Sequence, residues 1–378
     1  MNCTDVIFFQ AELTPERLAI IAQGPVIPYG RLAHGIVSAQ ARFAATGLTE
    51  GQTVALQIAH PIDHFVVACA LFRMKIASVS INAAPDLALD NIKFDAVLTN
   101  VINPAVSQKQ PAARMLLIDT SWFQDPVTFS VVHRSTASRD TGDWLCRLSC
   151  RSDNGQSATV VKTTARSLEA QILDYNLSAP PDWERMITIV DPTSDRGFLL
   201  ALSALYQGRM ICFADVATAR NLIVAYKHHF LVGDVQDFTP LLAQQKANYT
   251  ALPALRGAYV HGTSFSQALI AQCLETISPN TILSFVHPQV GVIAYGAANR
   301  IKDVSGAVGY VAPWMEVEIL DKTGKIGAVG TQGELRVRRL TEGTSATRSH
   351  ALPPRDEWVY PRLLAKRLPN NLLVVGAE

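Results

Sequence analysis

The sequence predicts an α/β architecture: two stacked αβ lobes with mostly parallel sheets, followed by a small β-barrel-like subdomain. Three observations carry this. Helical and strand-like apolar spacings alternate up to about residue 300, as in parallel βαβ units with right-handed crossovers. A polar, irregular stretch at 120–145 divides that alternation into two runs. Beyond 300, short alternating strands are parted by Asp, Lys and Gly, the mark of antiparallel hairpins. The expected divisions are 1–145, 146–299 and 300–378.

Taken in order, Leu32, Ile36, Ala39 and Phe43 recur at helical spacing over 29–45, and Gly47 closes that helix. TVALQIA at 53–59 alternates with period two, so it reads as a strand. Pro61 suits a first helical position, and Phe65, Ala68, Cys69 and Phe72 form the apolar stripe behind it. Ala77 to Ile81, FDAVLTN at 94–100 and MLLID at 115–119 read as buried strands. In the second run the strand candidates are Ile187 to Val190, Met210 to Phe213, Phe230 to Gly233, Gly257 to Val260 and Thr281 to Ser284. FLLALSALY at 198–206 has helical spacing, while Asp234 and Asp237 read as loop residues before a helix containing FTPLLAQ. Residues 340–356 read as a loop.

The composition excludes several classes of function. Lys and Arg number 33 against 32 Asp and Glu, a net charge of +1, so no basic stripe exists to neutralise a nucleic-acid backbone. Hydrophobic residues make up 48%, enough for a large core. No apolar run approaches the ~18 residues of a membrane span. The first residues lack a basic, cleavable leader, so a soluble cytoplasmic protein is expected. The 6 cysteines show no metal-ligand spacing, and no metal is expected; Cys69 and Cys212 read as small core residues. Triads assembled from Ser264, Ser266 and His261, or from Asp191 to Asp195 with His228 and His229, lack a G-x-S-x-G elbow.

Several segments resemble the large N-terminal part of the adenylate-forming superfamily, which includes acyl-CoA synthetases, peptide-synthetase adenylation domains and luciferases. PERLAIIAQGPVIPYGRLAHGIVSAQARFAATGLTEGQTVAL is similar to the family's opening. HFVVACALFRMKIASVSIN resembles FxxAxLAxxxAGAxxxPLN. LPALRGAYVHGTSFS resembles LPSLRxxxxGGAPLS, which places Gly262 on a family glycine. GAVGYVAPWMEVEILDKTGKIGAVGTQGELRVR follows GxVGxPxPGxExxIxDxxGxxxPxGxxGEIxVR most fully. The fold this implies agrees with the periodicity.

At the family's chemical blocks the match breaks down. The phosphate-cradling loop S-S-G-T-T-G-x-P-K needs glycines for close backbone approach, hydroxyl donors and a lysine. Between Arg151 and Thr159 only Ser152 is retained; Thr159 stands at the lysine position, and Asp153 places a negative charge beside the expected phosphates. At ~4 Å and an effective dielectric near 20, that repulsion is about 4 kcal/mol. Lys162, three residues downstream, reads either as a lysine that swings back to the phosphates or, more simply, as a solvated helix residue. In the Y-G-S-T-E block stand Phe285, Val286, His287, Pro288 and Gln289. Phe285 keeps an aromatic that suits either adenine stacking or the core, and Gln289 lacks the charge a Mg²⁺ site favours. In the T-G-D block Leu363 replaces the carboxylate that holds the ribose hydroxyls, and unpaired hydroxyls in a closed site cost a few kcal/mol. The sequence then ends where the resemblance places a hinge into a mobile C-terminal lid domain, so that lid is expected to be absent.

Two readings follow. In the first, the chain is a degenerate, truncated pseudoenzyme without catalytic residues of its own. It would be a binding or scaffold subunit that takes a small carboxylate or acyl ligand and works with a carrier protein or an active ligase. Ser152, Thr159, Gly262, Phe285, Gln289 and Leu363 are then vestigial nucleotide positions, and no cofactor is bound. In the second, it is a divergent ATP- and Mg²⁺-dependent acyl- or aryl-acid ligase that borrows a C-terminal domain in trans.

Overall fold

The computed structural model describes residues 2–22, 25–81, 85–100, 103–119, 142–152, 158–180, 183–248, 255–340 and 358–376. In chain order the elements begin with α1 (Asp5–Leu13), β1 (Leu18–Ala22), β2 (Val26–Pro28), α2 (Tyr29–Ala45), β3 (Thr53–Gln57), α3 (Pro61–Arg73), β4 (Ala77–Ser80), α4 (Pro85–Asn91), β5 (Ala96–Thr99), α5 (Pro104–Lys109) and β6 (Arg114–Leu117). The central portion comprises β7 (Leu145–Ser152), β8 (Ala158–Thr164), α6 (Ala165–Ser178), β9 (Arg185–Thr188), α7 (Asp195–Tyr206), β10 (Met210–Phe213), α8 (Val216–Tyr226), β11 (Phe230–Asp234), α9 (Val235–Asn248) and β12 (Gly257–Gly262). Then come α10 (Gln267–Gln272), β13 (Thr281–His287), β14 (Gly291–Ala297), α11 (Ala298–Ile301), β15 (Ala307–Val311), β16 (Met315–Leu320), β17 (Gly333–Arg339), β18 (Leu364–Arg367) and β19 (Leu372–Val375).

Two compact units form, and they are interleaved in sequence: 1–173 with 190–213, and 174–189 with 214–378. This partition differs from contiguous divisions at 145 and 299. β10 pairs in parallel with β1, Ile211 opposite Ile20, so 190–213 belongs with the N-terminal segment.

In unit 1 a six-stranded sheet runs β6-β5-β3-β4-β7-β8. Its ladders are parallel except for the antiparallel β7–β8 hairpin. The helical spacing of α2 buries Leu32, Ile36, Ala39 and Phe43 completely. Its end is a Schellman motif: Gly47 N–H donates to Ala44 O, Leu48 N–H donates to Phe43 O, and Gly47 takes φ +77°. α3 starts at Pro61, and His60 Nδ1 accepts from Asp63 N–H at 3.4 Å. It is buried from Ile62 to Phe72 with only Asp63 half exposed, more than a single stripe requires.

In unit 2 the strands lie in the order β16-β17-β18-β19-β15-β14-β13-β12-β11-β9. β9, β11, β12 and β13 are mutually parallel, and from β13 to β14 onward the ladders turn antiparallel. The hairpin-rich C-terminal region is therefore present. It continues the sheet through the β14–β15 ladder, and no closing barrel ladder occurs among the described residues. On β16 and β17, Glu318 pairs with Arg336 and Glu316 with Arg338, while both guanidinium groups lie over the Trp358 ring at 4.4 and 4.6 Å.

Some local expectations are corrected. Asp234 ends β11 and Asp237 lies in the first turn of α9, which begins at Val235 and contains Pro240. Lys162 is an exposed residue of β8, not of a helix. Most of the predicted 120–145 loop, nearly all of the 340–356 loop, and Asp153 fall outside the described residues.

Candidate functional site

Parallel sheets place ligands at the carboxyl ends of their strands. In unit 2 that edge is formed by the ends of β11, β12 and β13. Gly262 closes β12 directly opposite Phe285 on β13. A Cβ on Gly262 would sit 2.6 Å from Val235 Cγ2 and 3.1 Å from the Phe265 ring, so helix α9 packs against a glycine here. Phe285 is 0% exposed, in the centre of the sheet between β12 and β14. It is a core side chain, and its ring offers no face to a base. The register shifts after Phe285, and β13 then runs to His287 opposite Gly291. The turn between them exposes Gln289, whose N–H donates to His287 Nδ1 at 3.4 Å.

Behind this edge lies a buried polar cluster that no sequence motif indicates. Tyr259 O–H donates to Ser178 Oγ at 2.6 Å. The His261 ring meets Tyr259 edge-on at 4.7 Å and Tyr175 at 5.8 Å. Burial pushes the Tyr259 phenol up to about 12, against the hydrogen bond to Ser178 that lowers it. Period-two placement of Tyr259 and His261 on β12 is the signal that could have found it, because both point to one face. Leu363 lies just before β18, which β19, β15 and β14 separate from β13 in sheet order. Its carbonyl accepts from Leu335 N–H. The structure thus brings Gly262 and Phe285 together, with Gln289 on the adjoining turn, and leaves Leu363 apart in the sheet.

In unit 1, Ser152 ends β7 opposite Ala158, and Thr159 lies within β8 opposite Arg151, exposed. Thr159 is accordingly a ladder residue. The intervening 153–157 lie outside the described residues. Unit 1 also holds a buried network that sequence reading missed. Arg147, 3% exposed on β7, bonds Asp195 through Nε, Ser80 Oγ through Nη2 at 2.6 Å, and Ser78 Oγ through Nη1 at 3.3 Å. Nη2 also reaches Thr193 O at 3.3 Å. His64 Nε2 meets Ser80 Oγ at 2.7 Å, and burial, followed by the Arg147 charge, holds the imidazole well below its ordinary pKa. The sequence signal was an arginine inside the apolar strand LCRLSC. With Nε, Nη1 and Nη2 all bonded to protein groups, this guanidinium serves as an internal tie. Gly197 permits the turn that carries Asp195, since a Cβ there would lie 2.2 Å from Asp191 O.

The matched positions do not fit ATP with Mg²⁺. Phe285 is enclosed, Gln289 has no charge, Leu363 has no acceptor in its side chain, and no group of three or more His, Cys, Asp or Glu suited to a metal occurs among the described residues. No helix of the described residues is long and apolar enough to cross a membrane.

No family model and no curated protein sequence matches the chain. Solved structures do. The N-terminal domain of FACL13 from Mycobacterium tuberculosis superposes with a TM-score of 0.82 at 14% identity, covering 100% of both chains. The o-succinylbenzoate CoA synthetase MenE of Bacillus subtilis, in complex with ATP and magnesium, gives 0.80 at 14% identity over 98% of this chain and 78% of its own. The amide bond synthetase McbA of Marinactinospora thermotolerans gives 0.77 at 15% over 100% and 79%. The chain has the fold of the large N-terminal domain of adenylate-forming synthetases. Within that adenylate-forming fold, the segments around β12 and from β15 to β17 form strands.

Proposed function

We propose that the chain is a divergent acyl- or aryl-acid ligase domain of the adenylate-forming class, in which activation of the carboxylate requires nucleotide contacts supplied by a C-terminal lid domain. The observation that supports this reading is the likeness over 98–100% of the chain to synthetase structures, including one bound to ATP and magnesium and one bound to an acyl-adenylate. The ligand would be a small carboxylic acid, and the protein would work in solution beside a carrier protein or a second ligase.

A second reading is a binding or scaffold subunit that does not adenylate. The enclosed Phe285 and the uncharged Gln289 and Leu363 side chains favour it. Carboxylate-dependent exchange of labelled pyrophosphate into ATP separates the two. The measurement uses the purified chain alone, and again with a separately expressed C-terminal lid domain of a related synthetase. Exchange above background with the lid added is the expected result. No exchange under either condition, together with no ATP·Mg²⁺ binding at millimolar concentration, would exclude the ligase reading and leave the binding subunit.

A further inference from the structure

The buried network of unit 1 ends at a residue that is only half-buried. Ser80 is the last residue of β4, at the carboxyl end of a strand in a largely parallel sheet, where such sheets take their ligands. Two groups converge on its Oγ: His64 Nε2 from α3 at 2.7 Å and Arg147 Nη2 from β7 at 2.6 Å. Both are held from behind. Arg147 is tied to Asp195 and Ser78, and its guanidinium lies over the Phe198 ring at 4.8 Å. His64 is fully buried in a helix that is itself enclosed from Ile62 to Phe72 except at Asp63.

The arrangement is that of a nucleophile with its base. A guanidinium only donates, so Ser80 Oγ accepts from Arg147 and its own proton is free to go to His64 Nε2. The same positive charge stabilises the alkoxide left behind. Burial, followed by the Arg147 charge, keeps the imidazole neutral at neutral pH, the form in which Nε2 accepts a proton. His64 Nδ1 has no hydrogen-bond partner among the described residues. A buried ring with one nitrogen unpaired and the other aimed at a half-buried hydroxyl is accounted for by a role at that hydroxyl.

We propose that Ser80 is an acyl-acceptor nucleophile, with His64 as its base and Arg147 as the cation behind its oxygen, and that it takes activated acyl groups such as aryl esters or thioesters. Ser80 Oγ bonds to the carbonyl carbon and its proton passes to His64 Nε2. The bond from that carbon to the leaving oxygen or sulfur then breaks, and the leaving group takes the proton from His64, which yields acyl-Ser80. Neither nucleotide nor adenylation is involved, so the proposal stands apart from the ligase reading. The test treats the whole chain with 4-nitrophenyl acetate and follows nitrophenolate release and peptide mass. A burst approaching one equivalent is expected, with the acetyl group on Ser80 in the tryptic peptide 76–93. Ser80→Ala should remove that label, and Ser80→Cys should keep it as a hydroxylamine-labile thioester. His64→Gln, which cannot take the proton, should slow the burst about a hundredfold. Circular dichroism reports that each variant is folded. No burst, acetyl groups on other residues with Ser80 unmodified, a label that survives Ser80→Ala, or a burst at the parent rate in His64→Gln would overturn the proposal.

Discussion

Replacing Phe285 decides whether the aromatic retained at this position stacks on a ligand or packs the core. Its side chain is 0% exposed, and its strand lies between β12 and β14. Truncation to alanine therefore removes a complete core ring, which costs about 3–5 kcal/mol in comparable interiors. For a unit of this size each kcal/mol moves the melting temperature by ~2–4 °C, so a fall of roughly 10 °C is expected. Phe285→Leu keeps most of the apolar volume and should lose only about 1–1.5 kcal/mol. The assay is thermal unfolding by circular dichroism, paired with nucleotide titration of the leucine variant. A stacking role would give the opposite pattern. Base stacking contributes ~1–3 kcal/mol, so the leucine variant would lose at least about fivefold in nucleotide affinity. If that loss occurs, or if the alanine variant melts within about 2 °C of the parent, the core assignment is wrong.

Two further outcomes test the packing and electrostatics of unit 2. His228 is 0% exposed; burial and then the Arg185 charge push its pKa down to about 4, below the ~6.5 of an unfolded chain, so the fold holds it neutral. Its contribution is complete above pH 6.5 and disappears as pH falls from 6.5 toward 4, up to about 3 kcal/mol. His228→Asn should flatten that part of the urea-midpoint profile, and an unchanged slope would refute the assignment. Gly262→Ala places a Cβ 2.6 Å from Val235 Cγ2 and should cost about 1–3 kcal/mol by denaturant unfolding. Val235→Ala in the same chain should restore most of it, and no recovery would show that the strain lies elsewhere.

Much of the architecture was legible because burial imposes a period. The spacing of Leu32, Ile36, Ala39 and Phe43 gave α2 its buried face, and Gly47 gave its end, since only a residue at ease with positive φ closes a Schellman motif without strain. Met210–Phe213 was found as a strand because it is a short apolar run buried on every residue. Its partner was not legible. Pairing with β1 joins residues nearly 200 positions apart, and period carries no information about which strands meet.

The site shows the same division more sharply. That the side chains at 289 and 363 carry no charge is read directly from the sequence, as is the alternation of helices and strands. Phe285 could be read either as a ligand-facing aromatic or as core, because an aromatic residue suits both settings. Only the neighbours supplied by β12 and β14 decided for the core. The family resemblance implies a loop at Thr159, and the β7–β8 register puts it in a ladder. Arg147, Ser80 and Asp195 lie on three separate elements. Local pattern is set by the chain's own periodicity, whereas juxtaposition is set by which surfaces exclude water together, and only the tertiary structure decides that.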